Sequence, residues 1–224
     1  MRKLIICLLA FILAIGGCAH LPLVAVPQEE AGAFLADFKA RMADRYEILS
    51  SVVFKFRFIT LASLGMTAVD MTRDRLAVAG ISPTGVTLFR VVVEKGESSQ
   101  SFVMPELAKR GDVAKAVSGN IHDIYFNLIP EQPATMFRRG GKIFVRDIPR
   151  KGLETEYVFS QQDRMLAEKR CYRNGKLFWT VYYSGWFTVS DGKVHPGKVR
   201  LVQRAYGYQL IINTKEARPA SDSL

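Results

Sequence analysis

Hydrophobic positions in this chain change from a helical period to a period of two near its beginning, and keep that period to the last strands except for one helical interruption in the middle. Ala31, Phe34, Leu35, Phe38 and Met42 stand at i, i+3, i+4, i+7 and i+11. That is one face of an α-helix, with Asp37, Lys39, Arg41 and Asp44 on the other. Pro27 suits a first helical turn, and Gln28-Glu29-Glu30 places acidic groups where a helix N-terminus favours them. The spacing predicts a helix to about Tyr46. After it the period is two. Val52, Phe54, Phe56 and Phe58 alternate with Val53, Lys55, Arg57 and Ile59, a strand with one aromatic and one mixed face. Met66–Thr72 reads as the next strand.

Two β-branched runs follow, Leu76–Ile81 and Val86–Val93, separated by Ser82-Pro83-Thr84-Gly85. Pro83 can preset one turn dihedral and Gly85 can take a positive φ, so the unit reads as a hairpin. Gly80 and Gly85 have the spacing of a phosphate loop, but Val86-Thr87 stands where that loop needs its Lys. Ser99–Met104 adds a short strand. From Pro105 to Ile129 the pattern is helical again. Pro105-Glu106-Leu107 begins a turn, and Asp112 caps a helix through Ser118. Gly119-Asn120 reads as a stop and restart before Ile121, Ile124, Tyr125 and Leu128. Pro130 and Pro133 end the segment, which is placed to pack across a sheet.

Strand patterns resume at Lys142–Asp147, Glu154–Ser160, Arg164–Tyr172, Lys176–Trp186, Gly197–Ala205 and Gly207–Asn213. Between them lie turn signals at Arg139-Gly140-Gly141, Gln161-Gln162-Asp163, Arg173-Asn174-Gly175, Asp191-Gly192 and His195-Pro196-Gly197. Asn174-Gly175 is the strongest hairpin signal. Strands joined by such short links pair antiparallel. No internal repeat or second domain is visible, and from Ala217 the tail is polar.

The first residues belong to something else. Arg2-Lys3, the apolar run Leu4–Ile15 and Gly16-Gly17-Cys18 have the layout of an exported leader. Ala14-Ile15-Gly16-Gly17-Cys18 resembles a bacterial lipobox. The resemblance implies cleavage before Cys18, diacylglycerol on its sulfur and acylation of the new amine. The organisation expected is a signal peptide at 1–17, a lipidated tether at 18–26, one domain at 27–216 and a polar tail at 217–224. No Asp follows Cys18, which favours the outer membrane, facing the periplasm. Cys171 is then the one thiol left, so no internal disulfide can form. The chain carries 31 basic against 21 acidic residues, a net charge of +10, and loss of Arg2 and Lys3 leaves +8. At that address the excess points to anionic lipid or acidic protein, not to nucleic acid.

Catalytic patterns are missing. His20, His122 and His195 are scattered and predict no metal site; His195 reads as part of a turn. There is no G-x-S-x-G, H-E-x-x-H or C-x-x-C. Arg138-Arg139-Gly140-Gly141-Lys142 reads as a solvated turn, and no carboxylate pair marks an acid–base couple. No cofactor and no enzyme activity are expected.

The order of the parts resembles the LolA/LolB half-barrel family, most of all the LolB-type outer-membrane lipoproteins. The matching residues are Arg75–Val93, with its strand, Pro-x-Gly loop and alternating strand, and Gly175-Lys176 through Val181-Tyr182-Tyr183-Ser184-Gly185-Trp186. Pro196, Val199-Arg200-Leu201 and Gly207–Asn213 extend the likeness. The resemblance implies a mainly β fold with helices. A single curved antiparallel sheet, a half-barrel of about eleven strands, would have an N-terminal helix and a central helical lid over an apolar cavity. By alternation the candidate cavity residues are Phe54, Phe56, Phe58, Phe89, Val91, Trp179, Val181, Tyr183, Leu210 and Ile212.

The expected partners are membrane lipid through acylated Cys18, the acyl chains of a lipoprotein or lipid cargo, and a LolA-like periplasmic carrier. The expected role is lipoprotein or lipid transfer and insertion at the outer membrane. The alternative is a non-enzymatic accessory lipoprotein serving an envelope assembly or a dedicated lipid-biosynthesis system. LolB-like proteins carry an exposed Leu in the Pro-x-Gly loop, which the family's behaviour implies presses into the membrane. Here the candidate membrane-facing loop is Ser82, Pro83, Thr84 and Gly85, and a hydroxyl stands in place of that Leu. Radiolabelled palmitate is expected to label the protein, and Cys18→Ala to abolish the label; labelling that survives the substitution contradicts the lipobox reading.

Overall fold

The computed structural model describes residues 22–95, 97–109, 113–130, 135–190 and 192–220. The expected leader and Cys18, together with Asp112, Pro133, Asp191 and the last four residues of the tail, lie outside these. The described chain begins with β1 (Val24–Ala25) and α1 (Gln28–Arg41). Five strands follow: β2 (Arg45–Phe56), β3 (Ile59–Asp70), β4 (Arg75–Ile81), β5 (Thr87–Glu94) and β6 (Glu97–Val103). Two helices interrupt them, α2 (Pro105–Ala108) and α3 (Val113–Tyr125). The second set is β7 (Thr135–Arg139), β8 (Lys142–Arg150), β9 (Leu153–Ser160), β10 (Leu166–Arg173), β11 (Lys176–Ser190), β12 (Lys193–Gln203) and β13 (Tyr208–Pro219).

All thirteen strands belong to one antiparallel sheet in the order β1-β7-β8-β9-β10-β11-β12-β13-β2-β3-β4-β5-β6. The last strand thus pairs with the first long one, from Tyr208 opposite Phe56 to Pro219 opposite Tyr46. Strands β1 and β6 lie at the two margins, so the sheet curves without closing. Local chemistry drives the hairpins. Asn174 and Gly175 take φ of 49° and 73°, the left-handed pair that matches the twist of two antiparallel strands. Gly85 takes φ 85°, and its N–H donates to Ser82 O at 2.9 Å.

The concave face holds the core. Helix α1 lays Phe34 and Phe38 edge-on against Phe159 of β9, with ring centroids 5.1 and 5.0 Å apart. Leu76, Val91, Val145, Leu166 and Leu201 are buried around it. Asp70 closes the β3–β4 corner by accepting from Thr72 N–H and Oγ1 and from Arg73 N–H, at 3.0, 2.6 and 3.1 Å. Burial pushes its carboxyl up, but these bonds and the Arg45 guanidinium outweigh burial and hold it below the usual range. Gly80 is required by a close approach, because a Cβ there would lie 2.4 Å from Phe89 Cε1.

Several elements differ from the sequence pattern. Helix α1 stops at Arg41, since Met42 is already extended and Tyr46 is needed in β2. Helix α3 runs through Gly119-Asn120 without a break, because packing over the sheet outweighs glycine's weak helical preference. Two short strands, β1 and β7, carry too few residues to show a period. Residues 217–219 extend β13 beside Ile48, Glu47 and Tyr46, where the sequence predicts the start of a free tail. His195-Pro196-Gly197 is no turn but part of β12, opposite Trp186 and Phe187.

His195 is 1% exposed among Tyr46, Tyr125 and Phe187, with ring centroids 4.9, 5.6 and 6.0 Å away. Neither ring nitrogen makes a hydrogen bond of good geometry. Burial pushes the imidazole down to about 4, and the Pro196 backbone offsets little of this. The fold therefore holds His195 neutral, while the unfolded chain protonates it near 6.5. Stability from this group is fully present above about pH 6.5 and falls as pH drops toward 4, by on the order of 3 kcal/mol. Unfolding titrations across that window are expected to show this loss in the parent protein and not in His195→Phe. Gly80→Ala is expected to cost about 1–3 kcal/mol by overpacking. In a double-mutant cycle by denaturant unfolding, Phe89→Ala is expected to relieve part of that cost.

Candidate functional site

The side chains on the concave faces of β2, β3 and β4 are small where a packed core would need large ones. Ser50, Ser63, Gly65, Thr67 and Gly80 occupy successive inward positions. The space they leave is a cavity of about 530 Å³ roofed by α2 and α3. Its walls are Val52 and Phe54 of β2, Leu61 of β3, Val78 of β4, Phe89 of β5, and Leu210 and Ile212 of β13. Met104, Leu107, Val117 and Ile121 form the roof, and among the described residues Glu106 is the one carboxylate on the lining. The roof is tied to the wall by the Tyr208 hydroxyl, 2.7 Å from Asn120 Oδ1. Among the described residues no Lys, Arg or His lines this cavity. An apolar concavity with few polar groups is built to shield hydrocarbon from water.

Of the ten residues expected by alternation, Phe54, Phe89, Leu210 and Ile212 line the cavity. Phe56 is on the same face of β2, half-buried, with the Arg57 guanidinium 5.2 Å above its ring. Val91 is also inward-facing but lies deeper, fully buried in the core below the cavity. Phe58 is outside. β2 ends at Phe56, Arg57 takes φ 52° and the alternation stops, so the Phe58 side chain points into solvent. Trp179, Val181 and Tyr183 face inward in the other half of the sheet; Val181 and Tyr183 are packed into the core, and Trp179 lines a separate, polar depression. The Tyr183 hydroxyl donates to Ile124 O at 2.8 Å. In the 82–85 loop, Ser82 Oγ lies 2.8 Å from Thr84 Oγ1 and accepts from Val86 N–H at 3.0 Å. Pro83, Thr84 and Gly85 are exposed.

Leu61, Val78, Met104, Leu107, Val117 and Ile121 complete the cavity and are absent from the sequence-based set. The available signal was the run of small residues at every second position of Ser63, Gly65 and Thr67. An alternation of small residues is as regular as one of large residues, but it does not stand out as a hydrophobic pattern.

A second depression, of about 650 Å³, lies under β8–β11 and is polar. Lys169 reaches into it fully buried, donating from Nζ to the carbonyls of Asp123 and Phe126 at 3.1 and 3.2 Å. It therefore satisfies the free carbonyl end of α3. Its ammonium also stands over Trp179 and Tyr157, 5.4 and 5.8 Å from the ring centroids. Burial pushes Lys169 down to about 8 and Asp123 up to about 6. Burial likewise raises the Cys171 thiol, which makes it a poor nucleophile. Among the described residues no group of three or more His, Cys, Asp or Glu stands close enough to hold a metal, and no helix is long and apolar enough to cross a membrane.

No family model matches the chain, and no curated protein matches it. Solved structures do. A domain assigned as an outer membrane lipoprotein-sorting protein from Vibrio parahaemolyticus superposes with a TM-score of 0.57 at 12% identity, covering 86% of this chain and 93% of that one. A LolA superfamily protein from Nitrosomonas europaea gives 0.55 at 12% identity, covering 85% and 94%. A DUF1329 family protein from Desulfovibrio piger gives 0.60 at 11% identity, covering 88% and 95%. At such identities the likeness is one of architecture, and the chain has the LolA/LolB-like half-barrel fold.

Proposed function

We propose that this protein binds an acyl chain in the apolar cavity, as a lipid-anchored protein of the outer membrane that takes part in lipoprotein or lipid transfer. The cavity carries the proposal. A cavity of 150 Å³ accepts one benzene ring, so about 530 Å³ has room for on the order of twenty carbons, one long chain. Each buried CH₂ contributes about 0.8 kcal/mol, so such a chain is held without any reacting group. The sorting function in the name of the Vibrio parahaemolyticus domain supports the reading. Anchorage through acylated Cys18 and hand-over from a LolA-like carrier are parts of the same proposal.

The cavity can be tested directly. A fluorescent sixteen-carbon fatty-acid probe is expected to bind the chain one to one. Val117→Trp, which fills the cavity from its roof, is expected to weaken binding at least about tenfold by displacing room for several CH₂ groups. The measurement is a fluorescence titration, with circular dichroism to verify the fold. A chain that does not bind the probe, or a Val117→Trp variant that binds it as tightly as the parent, overturns the proposal.

A further inference from the structure

Antiparallel alternation brings five turns to one end of the sheet: 57–58, 82–86, 151–152, 174–175 and 204–207. They carry Arg57, Lys151 and Arg204 and no Asp or Glu. Lys55, Arg150, Arg173 and Lys176 flank them, all exposed. The cavity reaches the surface at this same end: Phe54 of β2 and Leu61 of β3 stand opposite each other on its wall, and Leu61 is half exposed.

Three of the turns, β12–β13, β2–β3 and β4–β5, join neighbouring strands and form one arc over the cavity mouth. Large apolar side chains stand out of that arc. Phe58 is 103% exposed, Tyr206 62%, Val86 50%, Leu61 50% and Ile59 45%. From Tyr206 an aromatic path leads inward. Its ring stacks with Tyr208 at 6.4 Å, and Tyr208 lies 5.3 Å from Phe54 on the cavity wall. The exposed apolar side chains of these three turns project singly, and the turns' only charges are Arg57 and Arg204.

We infer that this arc is a membrane-docking rim, in which Phe58 and Tyr206 enter the interface of an anionic bilayer while Arg57 and Arg204 meet its phosphates. The inference rests on the acyl-chain reading of the cavity, to which it adds a route. Two observations favour a bilayer over a protein partner. The apolar groups project from separate tight turns as points, whereas a stable protein interface needs about 800 Å² of fitted surface on each side. The turns also pair each projecting aromatic with a neighbouring Arg, Arg57 with Phe58 and Arg204 with Tyr206. An aromatic ring with an adjacent cation matches the apolar and anionic layers of a headgroup region.

The test uses the full chain carrying Cys18→Ala, so that no acyl anchor contributes, with sedimentation on vesicles. Binding is expected on phosphatidylethanolamine–phosphatidylglycerol vesicles and not on phosphatidylcholine alone. Phe58→Ser is expected to weaken it about tenfold and Arg57→Glu with Arg204→Glu by more than about twentyfold. In Phe58→Trp the indole emission is expected to shift to the blue on the anionic vesicles. The Phe58 side chain is fully exposed, so unchanged thermal unfolding of Phe58→Ser and Phe58→Trp is expected. Vesicle binding that survives Phe58→Ser, or an indole that stays at its solvent wavelength on vesicles, overturns the inference. So does an indole that shifts only with a soluble envelope protein. Fatty-acid probe binding by Phe58→Ser separates the two readings: a rim that binds vesicles on a chain whose cavity takes no probe leaves the rim standing and the cavity reading lost.

Discussion

The pairing of β13 with β2 is the interaction on which this structure depends. It joins the last described strand to the first long one, with Leu210 opposite Phe54 and Ile212 opposite Val52. Without it the chain would make two separate sheets, β2–β6 and β7–β13, each with an exposed apolar face. With it, one continuous concave surface exists and all three described helices have something to cover. The pair is also the most distant in sequence that the sheet contains, so its loop-closure cost is met late in folding and repaid by the burial of both halves.

On that shared surface the two halves solve the same packing problem differently. The β7–β13 half carries Phe159, Leu166, Val181 and Tyr183 inward, and α1 adds Phe34 and Phe38, so that half has a large-residue core beside the polar depression that Tyr157, Lys169 and Trp179 line. In the β2–β4 part Ser50, Ser63, Gly65, Thr67 and Gly80 face inward, and nothing large fills the space. Helix α3 serves both, its C-terminal end held by Lys169 and Tyr183 while Val117 and Ile121 roof the cavity. A rigid half thereby supports a hollow one. The buried, depressed Lys169 is best understood as part of that support, because its donors are used by the carbonyls that end the helix.

The same curvature explains the polar division of the surface. Every second turn falls at the cavity mouth, where the loops are basic and apolar. The opposite end holds Asp44, Asp70, Asp74 and Glu94, of which Asp70 pairs with Arg45 and Asp44 with Lys193. An excess positive charge that composition shows only as a total is thus concentrated where the cavity opens.

The amino-acid pattern by itself determined the α1 stripe, the antiparallel sense of the strands and the 75–94 hairpin. It also determined the Asn174-Gly175 turn and the helical interruption near residues 105–125. Each follows from φ/ψ preferences or from a period within one element, and those act over a few residues. Only the tertiary structure decided which strand β13 joins, where β2 stops short of Phe58, and that His195 belongs to a buried strand. It also decided which of two identical alternations is hollow. Phe54 and Tyr183 are both inward aromatics on well-patterned strands, yet one lines a cavity and the other a packed wall. The difference lies in the size of residues across the fold from them, on elements far away in sequence, which no local period records.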